Sequence, residues 1–325
     1  MKIAVVCSHG GHLTEMMYLM GAFEGQDVFF VTYDNPRTRS LSFRHYLFPN
    51  FGEKPSELLK SLPLILGILL KEKPDILISN GAEIAVPFMF LARLMGIRTL
   101  FIECYTRIES PTVTGRLVYP FCDDFLVLWP EMLKRYGSKA RYIGGLVVQA
   151  EGVSSVDLAT VGKPIFVMVG MHFSGFDRLI KEVDRIALKK DVHFIAQIGH
   201  SSYEPEHAEF FRFLDSDNEI ENLILNSCLL VTHGGISVIE GVIHGIPTVV
   251  VPRLRQYGEH INDHQLWFAK RLADDGLVIV VTEIEELETA IYKALAGGSR
   301  RLKPNPDLRS YLSAFLMDLK NEKPG

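Results

Sequence analysis

The 325-residue sequence lacks several features that would assign it to a special class of protein. No apolar run reaches the ~18 residues expected of a membrane-spanning helix, and Met1-Lys2 leads directly into a strand pattern, so we expect neither an anchor nor a signal peptide. Cysteine is scarce and forms no CxxC pair, which predicts reduced thiols in a cytosolic protein. The four cysteines are Cys7, Cys104, Cys122 and Cys228.

An excess of positive charge is also missing. The formal net charge is −5 and the sequence pI is about 6.1, which argues against a nucleic-acid partner. Residues 1–150 carry 16 Lys and Arg against 14 Asp and Glu, whereas the rest carries 18 against 25. The slight basic excess of the first half would suit an anionic lipid surface or a pyrophosphate.

The turn after the first strand does not follow the dinucleotide-binding pattern G-x-G-x-x-G. It reads Ser8-His9-Gly10-Gly11-His12, which disfavours a nicotinamide or flavin dinucleotide. His12 is the residue of interest in this turn. It either bonds to the backbone or serves as a general base, because an unperturbed imidazole titrates near neutrality.

Short apolar runs alternate with helical patterns along the whole chain, and this order predicts an α/β protein with doubly wound parallel sheets. The length suggests two domains. We expect a first domain over 1–150, a linker over 151–163, a second domain over 164–305 and a last helix over 306–325 that crosses back to the first domain.

The most informative stretch is 229–265, which reads strand, glycine turn, helix, strand. Its turn, His233-Gly234-Gly235, leaves backbone N–H groups at a helix start, where phosphates bind. Ser237 and Glu240 have the spacing of a capping box. Glu240 either caps the helix or accepts hydrogen bonds from a ribose diol.

This stretch resembles the donor half of nucleotide-sugar glycosyltransferases, through Gly-x-Ser-x-x-Glu, Gly-x-Pro, an apolar strand ending in Pro and a closing His-Gln. It is similar to the catalytic subunit of the eukaryotic enzyme that adds the second N-acetylglucosamine (GlcNAc) to dolichyl-pyrophosphate-GlcNAc, and to the bacterial lipid II-forming GlcNAc transferase. The resemblance implies that Glu240 holds the ribose, that the 263–265 segment holds the sugar and that the loop after Val169 faces the pyrophosphate, although an ordinary βα loop explains His172 equally well. The implied donor-binding residues are Gly170, Met171, His172, His233, Gly234, Gly235, Ser237, Glu240, Asp263, His264 and Gln265.

A second resemblance covers residues 103–131, whose Glu, Arg, Thr-Gly-Arg, Leu-Val-Tyr-Pro and Trp-Pro-Glu are similar to the membrane-recruiting, acceptor-side subunit of the same eukaryotic enzyme. The two matches together imply the GT-B architecture, two Rossmann-like doubly wound domains facing across a cleft. They imply His12 as catalytic base, with Glu103 orienting His12 or the acceptor, or serving as the base itself. The implied acceptor-binding residues are Gly10, Gly11, Arg107 and Thr114.

The implied reaction is an inverting transfer of a sugar, GlcNAc by preference, from a UDP-sugar to a polyprenyl- or dolichyl-pyrophosphate-linked sugar through a β-1,4 linkage. It implies no cofactor and no metal, because loop N–H groups and helix N-termini can stabilise the leaving diphosphate. The alternatives are a UDP-galactose or UDP-glucuronate transferase of capsule synthesis, a UDP-GlcNAc 2-epimerase and a non-catalytic recruiting module.

The segment 58–70 is very apolar and contains Pro63. It is either a kinked core helix or an interfacial helix that lies on the membrane. The second reading predicts a protein attached peripherally to the cytoplasmic face of a membrane.

Overall fold

A computed structural model describes residues 1–51, 55–154, 162–189, 192–214, 216–297 and 299–322. The chain divides into two compact units. Unit 1 comprises Met1–Leu146 and Asn305–Gly325, and unit 2 comprises Val147–Pro304. Each unit is built on its own parallel sheet.

Within the described part of unit 1, seven parallel strands form one sheet in the order β3-β2-β1-β4-β5-β6-β7. The strands are β1 Lys2–Val6, β2 Asp27–Tyr33, β3 Arg44–Phe48, β4 Ile76–Ser79, β5 Arg98–Ile102, β6 Asp124–Val127 and β7 Ala140–Tyr142. The central strands are apolar on both faces and almost wholly buried, as expected where helices cover a parallel sheet on both sides.

The helices of unit 1 connect these strands and cover the sheet. They are α1 Gly11–Leu19, α2 Pro36–Arg39, α3 Pro55–Glu72, α4 Ala85–Leu94, α5 Val113–Val118, α6 Leu133–Tyr136 and α12 Pro306–Glu322. The last of them packs on the first helical region, where the Arg309 guanidinium donates to Tyr18 O at 2.7 Å and Ser313 Oγ donates to Ala22 O at 3.1 Å. The end of the chain is therefore part of unit 1.

Unit 2 repeats the same topology. Its described strands form a six-stranded parallel sheet in the order β11-β10-β9-β12-β13-β14, beside an antiparallel pair, β8 with β15. The strands are β8 Val147–Ser154, β9 Ile165–Met168, β10 Phe194–Gln197, β11 Glu209–Phe211, β12 Leu229–Thr232, β13 Thr248–Val250, β14 Ile279–Val280 and β15 Ser299–Pro304. The helices are α7 Asp177–Ala187, α8 Asp217–Leu225, α9 Ser237–Ile243, α10 His264–Asp274 and α11 Leu287–Ala296.

Two local expectations need correction. Ser237 is the first residue of α9 and does not cap it, since its hydroxyl is hydrogen-bonded to Thr232 Oγ1 at 2.8 Å, so the capping box with Glu240 is absent. The interval 151–163, expected to be a linker, begins inside β8, because the pairing with β15 extends to Ser154. Residues 155–161 of that interval lie outside the described residues.

Helix α3 has one buried and one exposed apolar face, so it has features of both the core helix and the interfacial helix considered for residues 58–70. Ile65, Ile68 and Leu69 are buried in the core, whereas Leu59, Leu64, Leu66 and Leu70 are exposed. Pro63 lies within the helix. Across the described residues, we find no helix with the length and apolar character that a membrane span requires.

Candidate functional site

Both sheets have a switch point, where the connections change direction along the sheet. It lies between β1 and β4 in unit 1 and between β9 and β12 in unit 2. Ligands of open α/β sheets bind outside the carboxyl ends of the strands at this point. Both regions suggested by the sequence follow these strands, at 8–12 and 80–81 in unit 1 and at 170–172 and 233–235 in unit 2.

His12 is the second residue of α1 and lies at the switch point of unit 1. Its backbone O accepts a hydrogen bond from Asn80 Nδ2 at 2.8 Å, which ties the start of α1 to the end of β4. Its Nδ1 is 2.8 Å from Ser8 Oγ. Burial lowers the pKa of His12, against the opposing charges of Glu15 and Glu103. A lowered pKa keeps the imidazole neutral at pH 7, the form that can accept a proton.

Glu15 is a buried carboxyl group beside His12 that sequence reasoning missed. Its Oε2 accepts from Asn80 Nδ2 at 3.1 Å, and its Oε1 accepts from Tyr105 N and Cys104 Sγ, both at 3.2 Å. Burial raises its pKa well above the usual range. Glu15 therefore joins α1 to two loops at the carboxyl edge of the sheet, those after β4 and β5. The available signal was a carboxylate four residues before Leu19, on the same face of α1 as this buried leucine.

Glu103 follows β5 and is fully buried. Its carboxylate accepts hydrogen bonds from Cys104 N at 2.8 Å, from Thr112 Oγ1 at 2.9 Å and from the Tyr136 hydroxyl. These partners hold the 103–112 loop against the sheet. The geometry favours Glu103 as a residue that positions this loop and acts on His12 through its charge.

The implied acceptor-binding residues lie around the same edge. Gly10 caps α1 and Gly11 opens it, and the Arg37 guanidinium donates to Gly10 O at 3.3 Å. Arg107 is half-buried in the 103–112 loop, and its charge acts on His12. Thr114 is buried in α5. Unit 1 thus places His12, Glu103 and Arg107 in one region, whereas Thr114 contributes to the packing of α5.

In unit 2, glycine allows the predicted donor segments to approach each other closely. At Gly170, φ is +76° and a Cβ atom would lie 2.7 Å from His233 Cε1. At Gly234, a Cβ atom would lie 2.5 Å from Gln265 O. The loop after β9, the turn after β12 and the start of α10 therefore meet, although they are separated by about 60 and 30 residues in the chain.

Three histidines stand in a row beside this junction. The His172 ring is stacked on Phe173 at 4.9 Å and on His260 at 5.0 Å, and the His260 ring meets His264 edge-on at 4.6 Å, all between centroids. Burial and the charge of Arg253 lower the pKa of His172. Burial, with the same arginine, lowers the pKa of His233 to about 3. Two imidazoles on this side of unit 2, those of His172 and His233, are therefore favoured in the neutral form.

Arg253, which sequence reasoning missed, fixes the loop that follows β9. It is fully buried after β13, and its guanidinium donates to Val169 O at 2.9 Å and to Gly175 O while lying over the Phe176 ring. Its backbone N donates to Gln265 Oε1 at 3.0 Å. Gln265, expected to hold the sugar, is buried and uses this oxygen to fix the backbone of Arg253.

A second arginine, Arg178, stabilises the loop between β13 and α10. Arg178 donates two hydrogen bonds to Glu259, at 2.8 and 2.9 Å, and Leu254 N donates to the same carboxylate at 3.1 Å. Asp263 Oδ1 accepts from Arg255 N at 2.8 Å. These contacts order the loop that leads to His260 and His264. A charged loop between a strand and a helix was the only sequence signal for them.

Ser237 and Glu240 both lie on α9. Ser237 is buried and bonded to Thr232, so its hydroxyl supports the turn from inside. Glu240 lies one turn into the helix and is half-buried. Met171 is half-buried in the loop between Gly170 and His172.

Comparisons with known families match the two halves of the chain separately. Residues 54–146 match the model described as oligosaccharide biosynthesis protein Alg14 like. Residues 164–312 match the glycosyltransferase family 28 C-terminal domain.

Two relatives are similar to this chain over different lengths. The UDP-N-acetylglucosamine transferase subunit ALG14 of Eremothecium gossypii is 36% identical over 80 residues, which cover 23% of this chain and 35% of that protein. The UDP-N-acetylglucosamine–N-acetylmuramyl-(pentapeptide) pyrophosphoryl-undecaprenol N-acetylglucosamine transferase of Clostridium botulinum is 25% identical over 259 residues, 75% of this chain and 70% of that protein. The chain thus spans about a third of the length of the fungal relative.

Among solved structures, the UDP-GlcNAc 2-epimerase of Methanocaldococcus jannaschii superimposes with a TM-score of 0.69 at 16% identity, covering 98% of this chain and 100% of that one. This likeness concerns the fold, and it confirms the predicted class of two Rossmann-like, doubly wound domains of the GT-B type. The chain therefore carries an Alg14-like domain followed by the C-terminal domain of glycosyltransferase family 28.

Proposed function

We propose that this protein transfers GlcNAc from UDP-GlcNAc to a sugar carried on a polyprenyl pyrophosphate, and that the new linkage is β-1,4. The observation that carries the proposal is the junction in unit 2, where three segments of the donor motif meet at the carboxyl ends of β9 and β12. We take the sugar from the two relatives, because both are named as N-acetylglucosamine transferases or a subunit of one.

The donor would occupy unit 2. Within the 233–235 turn, Gly235 N donates to His233 O at 2.9 Å, and the other N–H groups would bind the diphosphate. Glu240 would accept hydrogen bonds from the ribose hydroxyls. His172, Asp263 and His264 would contact the sugar and its phosphate. Gln265 would act through the backbone of Arg253, to which it is bonded.

The acceptor would bind unit 1 beside His12, with Arg107 as a cationic partner for its pyrophosphate. His12 removes the proton of the acceptor hydroxyl as the oxygen attacks the anomeric carbon. The bond from that carbon to UDP breaks in the same step, and UDP leaves as the diphosphate. A single displacement inverts the configuration, so an α-linked donor yields a β-linked product.

Membrane attachment is part of the proposal because the acceptor is a lipid. Exposed apolar side chains are concentrated on three helices of unit 1 that are neighbours in the fold. We name this the α3–α5 surface: Leu59, Leu64, Leu66, Leu70, Phe90, Leu94, Val113 and Leu117. Lys60, Lys71, Arg93 and Arg116 are exposed on the same helices. Apolar side chains flanked by cations suit the interface of an anionic membrane, and we propose its cytoplasmic face.

A liposome assay tests this attachment. The double variant Leu66→Glu/Leu70→Glu should keep the melting temperature of the parent and lose co-sedimentation with vesicles containing anionic lipid. The control is Leu188→Glu, an exposed leucine of unit 2, which should leave vesicle binding intact. Undiminished binding by the double variant would reject the surface.

Product analysis tests the reaction itself. The purified protein is incubated with UDP-GlcNAc, UDP-galactose or UDP-glucuronate and with GlcNAc-pyrophosphate-polyprenol. We expect a disaccharide lipid from UDP-GlcNAc that is susceptible to a β-N-acetylhexosaminidase, with activity retained in excess EDTA. Release of UDP without acceptor would favour an epimerase, and a product from another donor would assign a different sugar.

A further inference from the structure

The proposed base, His12, can act only if one particular ring nitrogen carries no proton. A neutral imidazole has one N–H, and the hydrogen bond made by one nitrogen decides which nitrogen remains basic. In unit 1, the contacts of the two nitrogens differ. Nδ1 is 2.8 Å from Ser8 Oγ, while Nε2 has no hydrogen-bond partner within the described part of the chain.

Both sides of the ring are shaped by the surrounding loops. Ser8 lies four residues before His12, on the other side of the glycine turn. Asn80 fixes the start of α1 through its hydrogen bond to His12 O. Gly81 faces the other nitrogen, since a Cβ atom there would lie 2.9 Å from Nε2, and its φ of +134° is itself suited to glycine. The absence of a side chain at Gly81 leaves room beside Nε2 for another group.

We infer that Ser8 Oγ accepts a hydrogen bond from Nδ1–H of His12, so that Ser8 is a positioning residue that keeps Nε2 unprotonated and directed at the acceptor hydroxyl. The distance also allows the reverse bond, from the Ser8 hydroxyl to Nδ1, but that bond would place the ring proton on Nε2. Only the first arrangement leaves a basic lone pair on the nitrogen that lacks a protein partner.

The charges that act on His12 do not themselves select a nitrogen. Glu15, Glu83 and Glu103 favour the imidazolium, and Arg107 and burial oppose it. These charges determine the fraction of molecules in which His12 is neutral at a given pH. The contact with Ser8 is the one direct side-chain bond to the ring in the described residues, and the direction of that bond therefore sets the tautomer.

The inference rests on the proposed function, but its test does not. In protein labelled with ¹⁵N-histidine, long-range ¹H–¹⁵N correlation spectra at pH 8 report which nitrogen of His12 is protonated, and His12→Asn assigns the signal. We expect Nδ1–H in the parent protein and in Ser8→Thr, and a shift towards Nε2–H in Ser8→Ala. Ser40→Ala, which removes a surface hydroxyl that donates to Arg37 O, should leave the tautomer unchanged.

Kinetics supply the second readout. Ser8→Ala should lower kcat about two- to tenfold, the range for loss of one neutral hydrogen bond, with an unchanged KM for the UDP-sugar, and Ser8→Thr should restore it. An Nε2–H tautomer in the parent protein, or an unchanged tautomer in Ser8→Ala, would overturn the inference. Because the spectra need no substrate, they decide it even if the protein transfers no sugar, which would reject only the proposed function.

Discussion

The two units share one topology but carry different chemistry at the same place. In unit 1, the switch point between β1 and β4 gathers ionisable groups, with the His12 imidazole beside the buried carboxyl groups of Glu15 and Glu103. In unit 2, the equivalent point gathers glycines, neutral histidines and backbone held by Arg253. The fold thus supplies a location, and the side chains decide what occurs there.

Under the proposed function, this difference corresponds to proton transfer in unit 1 and donor binding in unit 2. A group that must exchange a proton needs a pKa adjusted by burial and by neighbouring charges, as His12 has. A site that binds a nucleotide diphosphate needs close backbone approach and ordered loops, as glycines and buried arginines provide in unit 2. Variants of the two switch points should therefore separate turnover from donor binding.

The largest effect is expected at His12. His12→Ala removes the proposed base, and turnover should fall by ~10²–10⁴-fold, the usual contribution of general base catalysis. UDP affinity, measured by calorimetry, should stay unchanged because the donor residues belong to unit 2. In the parent, activity should fall as pH drops through the pKa of His12, which burial places below its ordinary value, and this acidic limb should vanish in the variant.

The control for this variant is His45→Ala, on β3 of the same unit, which should keep both turnover and pH profile. If His12→Ala retained more than about a tenth of the turnover with an unchanged profile, proton removal would have to be assigned elsewhere.

A variant of Glu240 tests donor binding in unit 2. Glu240→Ala should weaken UDP binding by ~1.5–3 kcal/mol, the range for a hydrogen bond to a charged group. The comparison variant is Glu219→Ala, an exposed glutamate in the first turn of α8, which loses only a favourable interaction with the helix dipole. A lower melting temperature with unchanged UDP affinity in Glu240→Ala would mean that the carboxylate only stabilises α9.

A variant of Gly234 tests the close approach between the 233–235 turn and the start of α10. In Gly234→Ala the new Cβ would lie 2.5 Å from Gln265 O, so the turn must move away from α10. Such overpacking costs ~1–3 kcal/mol, and we expect UDP affinity to fall by roughly 5- to 100-fold because this turn is the proposed diphosphate site. Gly297→Ala, where the nearest neighbour is 3.4 Å away, should bind UDP normally. Parent-like affinity in Gly234→Ala would separate this turn from the donor.

The smallest effect concerns the stability of unit 1. Because burial raises the pKa of Glu15, the native state binds more protons than the unfolded state above the unfolded value near 4.5, and stability falls as pH rises through this window. Glu15→Gln cannot titrate. Thermal unfolding from pH 4 to pH 9 should therefore show the variant gaining a few degrees relative to the parent as pH increases. The exposed Glu24→Gln should follow the parent, and parallel curves for Glu15→Gln would contradict a buried, protonated carboxyl group.

The sequence predicted the central strands well and the peripheral ones poorly. β2 and β12 are examples of central strands that the sequence marks, since strands buried on both faces are continuous apolar runs. β3, β11 and β15 were missed because they lie at the edge of a sheet or in an antiparallel pair, where polar residues such as Arg44, Glu209 and Arg300 are tolerated. Residues 35–45 are polar and rich in turn-forming types, yet they contain α2, whose N-cap Asn35 accepts from Arg37 N at 3.0 Å.

The residues of the candidate site divide in the same way. Motif residues beside glycine turns, such as His12 and His233, could be located because the turn marks the carboxyl end of a strand. The residues that hold those turns could not. Arg253 and Glu15 are bonded to groups 78 and 90 residues away, at Gly175 and Tyr105, and no local pattern records such partners.

By itself, therefore, the sequence determined two parallel α/β domains and the position of a glycine turn at the switch point of each, because apolar periodicity and turn chemistry act over a few residues. Only the tertiary structure decided which polar side chains face a ligand and which hold the loops, as with Gln265 bonded to Arg253 and Ser237 bonded to Thr232. The physical reason is that a buried polar group must find a hydrogen-bond partner, and that partner is supplied by whichever strand end the fold brings next to it.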